Sequence, residues 1–598
     1  MIRVAVVGLG SWGLCVLERL ARNLAREHRS AQVHVIDPAA PGPGVYLLDQ
    51  PDYLLLNTPC GQVSLYAMPD DAARPAYGES MYEWLSNMGY RWVGDSCRVS
   101  ARGREISPHD YVPRRVMGAY LQWFFEALVE DAPLQVEIFQ HRARAVDVVE
   151  QPGGRELVLL SDGGSVLVDA VVLATGHTAN LDSADGVLRP YPVTGYVEAL
   201  PASASVGIAG MGLVGIDVVT ALTLGRGGSY SEVGSRLVYH RSGREPSAIF
   251  AFSRSGHPYC AKAVAALDES DEHPSVVCRP ESVAAIGRTD AGGRRQVDLR
   301  TTMLPLLFAE MQARYYVQSA KLAGGDEAAK QVGHRLENSW AAQRFEAEIA
   351  ALAARYGSFD AERHFFPPAG EFASSADYQA RLYEMVRADL DDALQGPSSP
   401  VKSASEVLRS QRDAMRSVIE FAGLTLESYL DFQANIRSRV SRLVAGPPAV
   451  RSQQMLALMD AGVLQVPFGP APRLTSASKG GFVVRSGELD TPHSAPLDVV
   501  IQGHLEDPTL HRSRSELLTN LYRAGRMQQF HYGDTPVGSV SLDEQFHPID
   551  VHGRVQRRLW AFGALTEGVR YFTHYVPSPK SRRRVFVDAD ACVREMLA

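Results

Sequence analysis

The run Arg3-Val4-Ala5-Val6-Val7-Gly8-Leu9-Gly10-Ser11-Trp12-Gly13 constrains this chain more than any other. Small β-branched residues without polar alternation read as a strand buried in a parallel sheet. The strand ends in Gly-x-Gly-x-x-Gly, after which Leu14, Leu17, Leu20 and Leu24 fall on one face of a helix. Gly8 permits the tight turn, Gly10 lets a pyrophosphate approach the backbone, and Gly13 lets the helix pack close to the strand. Ser11 and Trp12, in the turn between them, are expected to bind the cofactor with the glycines. The helix N-terminus then offers N–H groups and a partial positive charge to phosphates. The next strand, Val33–Ile36, ends in Asp37, an acid placed to accept from a ribose 2′-hydroxyl. A strand before, a helix after and an acid at the next strand end favour a dinucleotide site over a ligand-free turn.

A chain of 598 residues holds more than one domain, because single cores stop growing near ~250–300 residues. A net charge of −8, with arginines dispersed, argues against general nucleic-acid binding. The dense run Lys580 to Arg584 reads as a solvated turn. Six cysteines, none in a C-x-x-C pair, indicate neither a zinc site nor a dithiol motif, so no metal is expected. They suit a reducing cytoplasm, and no apolar run is long enough to span a membrane.

Pro38 to Pro43 is irregular and must run close to whatever the Gly-rich turn holds. Asn57, after Leu54-Leu55-Leu56, is either a cofactor-facing amide or a turn residue before its proline neighbours. Residues 134–171 read as a small antiparallel insert. Asp169 to Gly176 is then a buried strand ending in Ala174-Thr175-Gly176. Next the fingerprint repeats: strand Ser205–Ala209, then Gly210-Met211-Gly212-Leu213-Val214-Gly215, then a helix. The following apolar run, Leu237-Val238-Tyr239, ends in His240-Arg241-Ser242-Gly243-Arg244. Arginines at a strand end pair with a 2′-phosphate where an acid would repel it. Arg241 and Arg244 are therefore expected to select NADPH, the alternative being solvated turn residues. The first site, with its acid, suits FAD.

From about Leu299 to Ala461 the chain turns helical and amphipathic. This block either covers a flavin or offers an oligomerisation surface for a homo-oligomer. Beyond it, the apolar runs at 481–485 and 497–503 read as strands rejoining the first sheet. Leu559 to Gly568 reads as a strand and turn whose Gly563 and Thr566 deliver backbone N–H groups to the flavin or its pyrophosphate. The expected fold is α/β, with two Rossmann-like dinucleotide-binding domains and a large helical insertion. Residues 1–180 begin the FAD domain, 181–298 form the NADPH domain, 299–461 the helical insertion and 462–598 the return to the nucleotide-binding domains.

Gly8 to Gly13 with Asp37, Leu54 to Pro59, Ala174-Thr175-Gly176, Gly210 to Gly215, the basic turn at Arg241 and the Gly563 segment resemble the N-hydroxylating flavoprotein monooxygenases. The layout is similar to their branch of aspartate N-hydroxylases, or nitrosuccinate synthases. The resemblance implies FAD and NADPH as cofactors, and a small amine or amino acid and O2 as partners. It also implies hydride transfer to FAD, oxygen capture as a flavin C4a-hydroperoxide and attack on it by the substrate amine, with L-aspartate oxidised towards nitrosuccinate. An amino dicarboxylate needs cationic clamps, for which Arg114, Arg115 and Lys262 are candidates. No side chain is singled out as catalytic, because the flavin carries the chemistry. Two other readings stay open: an NAD(P)H oxidoreductase without oxygen insertion, and a redox-sensing flavoprotein.

Overall fold

In the computed structural model the chain divides into two units. The first is built from Met1–Asp182, Ile419–Ala422 and Glu506–Ala598, the second from Ser183–Val418 and Gly423–Leu505. The structure describes residues 1–66, 78–181, 186–195, 197–264, 275–289, 293, 295–367, 370–478, 480–578 and 584–598, so most of the expected basic run, 580–583, lies outside the described residues. In chain order, the elements that position the site are β1 (Ile2–Val7), α1 (Ser11–Glu27), β2 (Ala31–Ile36), β3 (Val136–His141), β4 (Ala170–Leu173) and β5 (Ser205–Ala209). They continue with α2 (Leu213–Thr223), β6 (Ala248–Phe252), α3 (Arg437–Val444), β7 (Leu464–Gln465), β8 (Val499–Gln502) and β9 (Leu559–Ala561).

The first unit carries a parallel five-stranded sheet in the order β9-β4-β1-β2-β3. Val4 and Val6 are fully buried on one face of it and Ala5 on the other, as a strand covered on both sides requires. Leu14, Leu17, Leu20 and Leu24 of α1 are buried against the first face, together with Tyr120 and Phe124. Burial of each such side chain contributes about 1.5–3 kcal/mol. The expected insert begins later than its sequence suggested. Val136–His141 is the parallel edge strand β3, and only Ala145–Gln151, Arg155–Leu160 and Ser165–Val168 form an antiparallel sheet.

The second unit carries a parallel four-stranded sheet in the order β7-β6-β5-β8. Here two expectations are corrected. Val499–Gln502 does not rejoin the first sheet; it pairs with Val206–Ala209 and is locked there by Asp498, which accepts the Ser205 N–H at 2.8 Å. Phe482–Arg485 is the middle strand of a separate antiparallel sheet with Arg473–Ser476 and Ser494–Leu497. The helical block includes Leu304–Ala341, broken at Gly324 and Gly325, then Phe345–Tyr356, Ser375–Leu394 and Pro400–Ser410. The block expected to be helical is interrupted at Phe421 and Ala422, whose φ angles are 54° and 59°. Ile419 ends the helix Arg412–Ile419, Glu420–Ala422 form a single 3-10 turn, and these four residues belong to the first unit. Among the described residues no helix is long and apolar enough to cross a membrane.

Candidate dinucleotide-binding sites

In the first unit the expected segments meet on one edge. The turn 8–13 follows β1, Asp37 follows β2, Thr175 and Gly176 follow β4, and Gly563–Thr566 follows β9. These strands are parallel neighbours, so all four segments lie at their carboxyl ends, where open α/β sheets bind ligands. Gly8 has φ +91°, and a Cβ there would stand 2.4 Å from the Ala174 carbonyl oxygen. A Cβ on Gly13 would stand 2.0 Å from the Gly8 carbonyl oxygen, so helix and turn touch through bare backbone. Gly10 is different: the nearest atom to its Cβ position is Gly44 Cα at 3.9 Å. That face is open, and α1 begins there with no side-chain cap on its N–H groups.

Asp37 also holds the turn in shape. Its Oδ2 accepts the Leu9 N–H at 2.9 Å and its Oδ1 accepts the Ala39 N–H at 3.0 Å. Each oxygen keeps a second lone pair for a hydroxyl. The Gly42 N–H donates to Leu9 O at 2.9 Å, which folds the irregular 38–44 segment over the turn as expected. Trp12 is wedged against Phe562 and Tyr575, with ring centroids at 6.0 and 5.6 Å, and Gly563 lies against its indole. Thr566 is buried and donates its hydroxyl to Gly563 O at 2.8 Å, so it shapes that turn. Ser11 is half-buried, and Gly176 has φ +69° with open space where a Cβ would be. Thr175 and Thr178 each bury a hydroxyl that has no hydrogen-bond partner among the described residues. Buried polar groups are normally satisfied, so this edge is built to receive a polar group. Asn57 is half-buried in a segment pinned by the Leu56 N–H to Val112 O bond, at 2.9 Å.

The second turn repeats the backbone bonds that tie the first to its neighbouring strands. The Gly8 N–H donates to Ile36 O at 2.9 Å, and the Gly210 N–H donates to Phe252 O at 2.8 Å. The Ala174 N–H donates to Val7 O, and the Gly503 N–H donates to Ala209 O. A Cβ on Gly215 would stand 2.2 Å from Gly210 O, matching Gly13 on Gly8. A Cβ on Gly212 would meet the Tyr259 ring at 3.0 Å, an aromatic cover that the first turn lacks.

This match overturns the role expected of Arg241 and Arg244. Leu237–Tyr239 is not the strand beside β5; Arg236–His240 pairs antiparallel with Ser229–Val233 in a two-stranded hairpin. Arg241 and Arg244 precede β6, and the neighbouring Ser247 N–H donates to Ala204 O at the start of β5. They therefore sit at the amino edge, opposite the Gly-rich turn. Their turn also encloses an acid. Glu245 accepts from the Ser242 and Gly243 N–H groups and from the Tyr239 hydroxyl, all within 2.9 Å. Burial pushes its carboxyl up, but the hydrogen bonds outweigh that and hold it at about 2. The Arg241 guanidinium donates to Ala461 O at 2.8 Å. Arg241→Ala is therefore expected to change the ratio of KM values for NADPH and NADH by less than about twofold. The residues in the position of Asp37 are instead Ser253 and Arg254, directly after β6. Only the pairing of Phe252 with Gly210 identifies them; no local pattern marks them.

Arg115 is withdrawn as a substrate clamp. It grips Asp52 with two nitrogens, one bond at 3.0 Å, and donates to Cys97 O at 2.6 Å. Arg114 donates to Leu55 O at 3.2 Å. Lys262 lies in the second unit, where its backbone N–H donates to Pro447 O.

Residues 5–178 match a protein family described as FAD-NAD(P)-binding. With the paired turns this defines an FAD/NAD(P)-binding protein. The chain is 30% identical to an L-aspartate N-monooxygenase (nitrosuccinate-forming) of Streptomyces cremeus, over 99% of this chain and 94% of that one. It is 29% identical to a nitrosuccinic acid synthase of Aspergillus oryzae, over 100% of this chain and 92% of the relative. The ornithine N-hydroxylase of Kutzneria sp. 744 aligns in structure at 14% identity and a TM-score of 0.44, over 100% of this chain and 99% of that one. The chain belongs to the family of nitrosuccinate-forming L-aspartate N-monooxygenases.

Proposed function

We propose that this chain is an NADPH- and O2-dependent FAD monooxygenase that hydroxylates the amine of L-aspartate and carries it towards nitrosuccinate. The observation that carries this reading is similarity along the whole chain to enzymes of that name. Bound FAD, reduced by NADPH, supplies the activation of O2 that side chains cannot. Around the first turn, N–H groups at residues 10–13 hold the pyrophosphate, Asp37 takes the ribose, and Thr175, Gly176 and the 563–566 turn line the ring end. Asn57 faces the cofactor from the 54–57 segment. Around the second turn, Gly210, Gly212 and Gly215 admit the NADPH pyrophosphate. Arg114 is the cation proposed for a substrate carboxylate in the first unit, and Lys262 is a separate candidate in the second. The protein must also exclude water, which keeps the substrate amine unprotonated by desolvation and the activated oxygen from being lost as peroxide. Six free cysteines suit work in a reducing cytoplasm.

The test is NADPH oxidation and O2 uptake by the yellow protein, with and without a panel of amino acids, while H2O2 is quantified. Aspartate is expected to stimulate turnover and to suppress peroxide. Stimulation by a different amine would keep the chemistry and discard the substrate. Turnover indifferent to every amine, with all O2 recovered as H2O2, would overturn the monooxygenase reading.

A further inference from the structure

The helical block carries arginines that form no ion pair among the described residues. Arg442 of α3 is 8% exposed; it donates through Nη1 to Cys260 Sγ at 3.1 Å and through Nη2 to His364 O at 2.7 Å, while its buried Nε has no partner among the described residues. Arg439, one turn earlier on α3, donates to Asn435 O at 2.6 Å and stacks on Phe366, with its guanidinium 5.0 Å from the ring centroid. Arg300 stacks on the same ring at 4.9 Å, and Asp431 is already committed to Arg300 by two bonds at 2.9 and 3.0 Å. Among the described residues, Arg439 and Arg442 have no carboxylate within ion-pair distance, and the Arg254 side chain makes neither a hydrogen bond nor an ion pair, although its backbone carbonyl accepts the Ala471 N–H at 2.9 Å. An unpaired buried cation is costly, so such a cluster is stable when an anion joins it.

The helix that carries Arg439 and Arg442 is tied to the loop beside the second Gly-rich turn. Tyr259 covers Gly212 and is hydrogen-bonded with Ser441 of α3, and the Cys260 N–H donates to Arg442 O at 2.9 Å. These bonds hold α3 against the loop 253–260 that leaves β6. Arg254 opens that loop, one residue beyond the position of Asp37 in the first unit. Its charge reaches Arg439, which burial and the charges of Arg300, Arg442 and Arg254 push below the usual arginine range, against the pull of Asp431. His257, in the same loop, is held near about 4 by burial and by Arg442 and Arg439.

We infer that Arg254 and Arg439, backed by Arg442, clamp the 2′-phosphate of NADPH, so that the helical insertion itself sets the dinucleotide preference. This rests on the NADPH reading of the second turn. Arg254 supplies the strand-end contact and Arg439 closes on the phosphate from α3. Phe366 and the Asn435 carbonyl fix the Arg439 guanidinium beforehand, so little side-chain freedom is lost on binding.

The test is calorimetric titration of the full-length flavoprotein with NADP+ and with NAD+. Wild type is expected to bind NADP+ more tightly. Arg254→Gln and Arg439→Gln should each weaken NADP+ about tenfold or more and change NAD+ less than about twofold. Arg439→Lys should recover part of the loss, and each Gln variant should flatten the salt dependence of NADP+ binding. Unchanged NADP+ affinity in both Gln variants would overturn the clamp and leave the NADPH reading standing. So would equal losses for both nucleotides. A raised KM for aspartate with NADP+ affinity intact would make the cluster a dicarboxylate clamp and overturn the proposal. A wild type that does not distinguish the two nucleotides would overturn the NADPH reading itself.

Discussion

Gly10→Val yields a folded protein without its yellow colour. The Cβ of residue 10 points at open space, 3.9 Å from Gly44 Cα, so the fold can house a side chain there. The isopropyl group then stands over the uncapped first turn of α1, where a pyrophosphate would have to approach to reach the N–H groups. Gly13→Val is the control with the opposite outcome. Its Cβ would overlap the Gly8 carbonyl oxygen at 2.0 Å, a backbone contact that cannot rotate away. That variant loses the packing of α1 on β1, and with it the folded unit. The flavin-to-protein absorbance ratio and the circular dichroism melting curve separate the two. Gly10→Val purified with stoichiometric flavin would remove the first turn from the cofactor site.

Arg570→Met costs the first unit about 3–5 kcal/mol, the usual price of stranding buried carboxylates. Arg570 is 5% exposed and lies between Glu420 and Asp588, at 3.1 and 3.3 Å. Its guanidinium also stacks on Phe546, 4.5 Å from the ring centroid, and on Phe421 at 5.4 Å. Methionine keeps the stem volume but removes the cation that Glu420 and Asp588 share, while the Tyr571 N–H still donates to Glu420 at 3.1 Å. Asp588 retains Arg584 at 2.7 Å, so Glu420 bears more of the loss. The temperature of flavin release should fall by about 10 °C, given a few degrees per kcal/mol at this size. A fall of only a degree or two would mean that the segment Ile419–Ala422 is held by its backbone bonds alone.

The sequence made the first dinucleotide turn legible because its requirements are local. Gly8 and Gly13 are demanded by atoms a few residues away or on the next strand, and no other residue fits. The second turn was equally legible, but its partner strand was not. Leu237–Tyr239 and Ala248–Phe252 are both short apolar runs after the same helix, and a hairpin inserted between them changes which one reaches β5. Arg254 was therefore passed over for Arg241. Val499–Gln502 was assigned to the wrong sheet for the same reason, since a buried parallel strand reads alike in either. Ile419–Ala422 gave no signal at all. A helix end followed by positive φ at Phe421 and Ala422, neither of them glycine, follows no sequence rule.

The place of β9 in the first sheet bears on how the protein is made. β4 has β1 on one side and β9 on the other, and β9 is synthesised roughly 390 residues after β4. At the usual pace of ribosomes that is a delay of roughly 20 to 80 s, during which the β4 edge of the nascent sheet has no native neighbour. Such an open edge invites pairing with other chains. With the Gly563 turn lining the flavin as proposed, flavin loading completes only after that turn is synthesised, and colour becomes a signature of chains that were finished.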